Sequence, residues 1–80
     1  TFQIAGINEV SALTWYEEKL YVLSDEDYTI YKVDPANYQI LGKMIIKVVN
    51  PEGITFNEKG EILIVSDDMA RLFTFKPEFV

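Results

Sequence analysis

Two stretches of the chain, LYVL at 20–23 and ILIV at 62–65, are apolar at four consecutive positions and rich in β-formers. Each is too short for a helix, and neither alternates. That pattern predicts central strands with both faces buried. Around them the pattern changes. TIYKV at 29–33 alternates, and RLFTF at 71–75 does so in part, as half-covered strands do. QILGKMIIK at 39–47 predicts a further strand, with Gly42 as its expected bulge. No segment carries apolar residues at helical spacing.

The punctuation between these runs is that of turns. Asp34-Pro35-Ala36-Asn37 suits a type I turn, because Asp accepts from the backbone at the first position and Pro presets φ at the second. Gly60, in NEKGE, suits the left-handed position of a hairpin with a bulge, which a residue bearing Cβ resists.

The strands repeat. Ser24 and Asp25 match Ser66 and Asp67 at an offset of 42 residues. Ile30, Tyr31, Val33 and Pro35 match Leu72, Phe73, Phe75 and Pro77 at the same offset. Upstream, SALTW at 11–15 matches EGITF at 52–56 at an offset of 41. The extra residue therefore falls in the turn between, YEEK in one copy and NEKGE in the other. A turn is where a structural repeat tolerates an insertion.

A period of 40–45 residues holding four strands is the signature of a propeller blade. The expected fold is all-β: a β-propeller segment of about two four-stranded antiparallel blades. A β-sandwich or small barrel made by duplication is the alternative. The expected division of the single 1–80 unit is a spare outer strand at 1–8, a first blade at 9–49, and a second blade at 50–80 lacking its last strand. Two blades cannot close a ring. The chain, which begins with Thr1 rather than Met, is expected either to be a piece of a longer parent that supplies the missing blades, or to assemble with itself. Three copies, each lending its TFQI strand (1–4) to the next, would make six blades.

Composition narrows the chemistry. Hydrophobic residues are 49% and charged residues 25% of the chain, as in folded globular proteins. Thirteen acids against seven bases give a net charge of −6, which argues against nucleic-acid partners. No apolar run nears the roughly 20 residues of a transmembrane helix, and residues 1–10 lack the pattern of a secretory signal. With no Cys and no His, there is no disulfide, no thiolate or imidazole chemistry, and no Ser-His-Asp arrangement; no catalytic residue is assigned.

Carboxylates remain. In a meandering blade, first strands begin and second strands end on one face of the ring. Glu9 and Glu52 stand at first-strand starts, and Asp25, Glu26, Asp67 and Asp68 at second-strand ends, with Asn50 beside them. They are expected to gather at one mouth. Such oxygen donors suit Ca²⁺ or Mg²⁺, and the candidate ligands are Glu52, Asp25, Asp67 and Glu9. The competing reading is structural: an Asp after a strand commonly caps the next turn, and its recurrence in both copies fits that role. Glu52 aligns with Ser11, so no blade-wide requirement explains it. The aromatic residues Trp15, Tyr21, Tyr28, Tyr31, Phe56, Phe73 and Phe75 could line a groove, but at strand spacing they read first as core between blades.

NEVSALTWYEEKLYVLSDEDYTIYKVD and NPEGITFNEKGEILIVSDDMARLFTFKP together resemble the C-terminal part of the SdiA-regulated propeller proteins. The shared features are the S-A-L opening, the E-G-I motif and the I-V-S-D strand end. A more distant similarity links the chain to NHL-type repeats and to calcium-dependent lactonase and phytase propellers. The resemblance implies a propeller with a central funnel, placed in the periplasm or cell envelope. The expected function is a scaffold or binding module whose acidic mouth takes a cation, Ca²⁺ first. The alternative is a metal-dependent hydrolase of lactonase or phosphoesterase type.

Overall fold

A computed structural model of the chain describes Ile4, Gly6, Ile7, residues 9–67 and residues 71–80. It is all-β, with no helix among the described residues. Strands β1 (Ala12–Tyr16), β2 (Lys19–Ser24), β3 (Thr29–Val33) and β4 (Ile40–Ile45) form one antiparallel sheet in the order β1-β2-β3-β4. Strands β5 (Pro51–Phe56), β6 (Ile62–Ser66) and β7 (Arg71–Phe75) form a second, in the order β5-β6-β7. Both are simple meanders. Most of the expected spare strand at 1–8, and Asp68, lie outside the described residues.

The two copies differ where the sequence places the insertion. Tyr16 pairs with Lys19, so Glu17 and Glu18 alone make the first hairpin loop. Their φ values of 48° and 64° are both positive, as a type I′ turn demands. In the second copy the Asn57 N–H donates to the Glu61 carbonyl at 3.0 Å, leaving a three-residue loop with Gly60 at φ 81°. The Asn57 side chain holds that loop, its Oδ1 accepting from the N–H groups of Lys59 and Glu61. A two-residue loop and a three-residue loop account for the step from 41 to 42. At 34–37 the Asp34 Oδ1 accepts from the Ala36 N–H at 2.8 Å, the bond expected of Asp at a turn's first position.

Apolar side chains from the facing sides of both sheets form the main core. Leu23, Ile30, Ile62 and Ile64 are fully buried there, joined by Tyr21, Ile54 and the connector residues Ile46 and Val48. Tyr16 stacks on Phe56 with ring centroids 4.2 Å apart. Among the described residues, the backbones of the two sheets approach within 8 Å along β1 with β5 and, less, β2 with β5. The outer strands diverge, and between β4 and β7 a cleft of about 430 Å³ opens beside Met44 and Phe75. The sheets thus form a wedge, close at their first strands and splayed at their last.

The far faces differ. On the first sheet Ile4 and Ile7 pack over Leu20, Val22, Tyr31 and Val33. On the second sheet no described residue forms such a layer over the far face of β6. Of the run expected to be buried on both sides, Ile62 and Ile64 are buried but Val65 is 46% exposed, because no further layer lies beyond it among the described residues. Gly42 sits beside the β4 irregularity, where Leu41 is the unpaired extra residue. Its bare Cα admits the tail: a Cβ there would stand 3.2 Å from the Cβ of Phe79. Lys43 and Val80 exchange both backbone hydrogen bonds, at 3.0 and 3.2 Å, so the tail pairs with the outer edge of β4 at that point.

Candidate functional site at the acidic cleft

At the end of the wedge where β1 and β5 begin and β2 and β6 end, a cleft of about 410 Å³ opens. Its lining consists of four repeat-equivalent pairs: Glu9 with Asn50, Val10 with Pro51, Ser11 with Glu52, and Asp25 with Asp67. The four acids read from the sequence as candidate ligands therefore line one cleft, with Asn50 among them.

Local structure explains the placement. β5 carries a bulge between Pro51 and Gly53, and Glu52 is the unpaired residue. A bulge re-aims a side chain that a regular ladder would commit to one face. In the first copy the Ser11 N–H donates to the Leu23 carbonyl at 2.8 Å, and the Ser11 Oγ accepts from the Asp25 N–H at 3.0 Å. In the second copy the Asp67 N–H donates to the Asn50 carbonyl at 3.3 Å. The Ser66 Oγ, replacing neither bond, donates to the Val49 carbonyl at 2.7 Å and ties β6 to the connector. Asn50 itself has φ 49°, a left-handed conformation that Asn tolerates.

The capping role read for Asp25 falls to its neighbours. The Ser24 Oγ accepts from the Asp27 N–H at 3.4 Å. The Asp27 Oδ2 accepts from the Tyr31 hydroxyl at 2.9 Å, and its carbonyl accepts from the Thr29 hydroxyl at 2.8 Å. The Asp25 and Asp67 side chains line the cleft instead. No three His, Cys, Asp or Glu among the described residues converge closely enough to hold a metal ion.

One electrostatic feature was not visible in the sequence. The Glu26 carboxyl is held above the usual carboxylate range, first by its hydrogen bond with the Glu9 carboxyl and then by the charge of that group. Two acids 17 positions apart in the sequence meet here because the chain entering β1 passes the turn that leaves β2. The sign follows from the direction of the shift. A carboxyl whose folded pKa is raised favours the fold below its unfolded pKa and loses that contribution as pH rises through the folded value. Carboxyl NMR titration is expected to show Glu26 protonating at higher pH than in the unfolded chain, and Glu9→Gln is expected to return it toward the ordinary range. A Glu26 titration indifferent to Glu9→Gln would refute the pairing.

No protein-family model matches the chain, and no curated protein matches it.

Proposed function

We propose that the chain is a two-blade segment of a propeller of the SdiA-regulated kind, acting as a scaffold or binding module. Its acidic mouth takes a divalent cation, or a small polar or basic ligand. The observation that supports this best is the cleft itself, built from matching positions of two meanders that meet along their first strands. A sandwich would hold its sheets about 10 Å apart across the whole face, whereas these converge on one side. The donors at the mouth are carboxylates with an amide beside them, the set that suits a hard cation such as Ca²⁺. Glu52 is the residue on which the binding reading turns, because its bulge places it at the cleft while its repeat partner is a serine.

An exposed site whose acids must draw together around the ion binds Ca²⁺ weakly, with Kd on the order of 10⁻⁴–10⁻³ M. At 10 mM Ca²⁺ the expected stabilisation is about 1–3 kcal/mol, which in a chain this small raises Tm by roughly 5 °C or more. Glu52→Gln should remove most of that rise while leaving the metal-free Tm within about 2 °C, since the residue is exposed. A Tm that ignores Ca²⁺ and Mg²⁺ in both proteins would eliminate the cation.

A further inference from the structure

We infer that copies of this chain stack head to tail, the far face of the second sheet receiving the far face of the next copy's first sheet. The internal interface is the template. The first sheet meets the second through Ala12, Tyr21, Leu23 and Ile30. Their repeat equivalents are Gly53, Leu63, Val65 and Leu72. These lie on the opposite, outward side of the second sheet, where Val65 is 46% and Leu72 61% exposed. The second sheet answers through Ile54, Phe56, Ile62 and Ile64. Their equivalents are Leu13, Trp15, Leu20 and Val22, on the outward side of the first sheet, where Leu13 is 43% and Trp15 61% exposed.

The chain therefore presents at its two ends the two halves of an interface it already makes inside. Each half is apolar, and neither matches itself. The connector is reproduced as well: Val48 is buried within the internal interface, and its equivalent Ile7 is already buried against the outward side of the first sheet. A second copy thus finds that face prepared as the second sheet's face is prepared. Inside the chain, Tyr21 packs against Phe56 with ring centroids 4.7 Å apart. Between copies the equivalent contact sets Leu63 against Trp15. Unlike faces in contact give a heterologous interface, which extends until rotation closes it. Each copy carries a net charge of −6, so stacking should strengthen as salt screens that repulsion.

This inference shares with the function proposed above only the equivalence of the two sheets; the cation plays no part in it. Loss of the Ca²⁺ response with stacking intact removes the mouth reading alone, and the converse removes stacking alone.

The test is light scattering with size exclusion across micromolar to millimolar concentrations, on the wild type and on Leu72→Asp and Trp15→Asp. Both sites are exposed, and circular dichroism checks that each variant keeps its fold; Val65→Lys and Leu13→Lys serve as second choices at the same faces. The wild type is expected to associate, with its one tryptophan shifting its emission to the blue as concentration rises. Each variant alone should lose about thirtyfold or more in affinity, as loss of a central apolar anchor does. Mixed, the two variants should form a one-to-one dimer, because each retains the face the other lacks. A wild type that stays monomeric, a Trp15 variant that still associates by itself, or a mixture that forms no dimer would overturn the inference.

Discussion

Ile64→Ala is expected to cost about 2–5 kcal/mol, whereas Val65→Ala, one residue on, should change the stability of the dilute chain by less than about 1 kcal/mol. Ile64 is fully buried between the sheets, and Val65 points away from them. A chain of 80 residues has a total stability of only about 4–12 kcal/mol. The first substitution therefore removes at least about a sixth of it, and close to half at mid-range. Urea unfolding measures both, with the midpoint falling and the slope unchanged for Ile64→Ala. The test is directional. In a buried strand covered on both sides the two substitutions would hurt comparably, so similar losses would show that the second sheet has a cover on its outer face.

Phe56→Ala is the second large effect, about 3 kcal/mol for an aromatic ring withdrawn from the inter-sheet core. Phe56 ends β5 and is the ring on which both Tyr16 and Tyr21 rest, the first stacked at an interplanar angle of 8° and the second tilted at 59°. Because Tyr16 ends β1, a double-mutant cycle of Tyr16→Ala with Phe56→Ala reads the junction between the sheets. Its coupling energy should be about 0.5–1.5 kcal/mol. The same cycle with Trp15 in place of Tyr16 should give additive losses, since Trp15 lies on the opposite face of β1. Coupling at Trp15 and additivity at Tyr16 would mean that β1 has its faces the other way round.

Strand positions were legible because they are written locally. The 29–33 and 71–75 runs form the strands read from them, and the LYVL and ILIV runs lie within β2 and β6. The one-residue insertion was legible too, because Gly60 supplies the positive φ that the longer loop needs. β4 is shorter than its apolar run. Ile46 leaves the strand and drops into the core, an outcome that IIK at 45–47 does not distinguish from a longer strand. Facing was less legible. Four apolar residues in a row carry no alternation, so nothing local says that Leu23 faces the second sheet while Val22 faces away. The aromatic residues divide for the same reason. Tyr21, Phe56, Phe73 and Phe75 lie at the inter-sheet core and Tyr31 in the smaller cluster, while Trp15 and Tyr28 are exposed.

The cleft was legible through the repeat. Matching strand ends must share a side of two packed meanders, and Glu9, Asp25, Glu52 and Asp67 follow from that rule; it also put Glu26 there, which does not line the cleft, and Asp68, which lies outside the described residues. The contact of Glu9 with Glu26 did not follow, because it depends on the path of the chain before β1. The docking of Phe79 and Val80 on β4 did not follow either. It joins the last strand of the first sheet to the tail that follows the last strand of the second, and the permissive feature, the missing Cβ of Gly42, reads equally well as a bulge.

The two repeat-equivalent sheets meet along their first strands and splay toward their last. Proton–proton NOEs in the dilute, isotope-labelled chain test this arrangement most directly. Cross-peaks are expected from the Phe56 ring to the rings of Tyr16 and Tyr21, and none between the backbones of β4 and β7. Backbone contacts between β4 and β7, with the Phe56 ring silent toward Tyr16 and Tyr21, would contradict it.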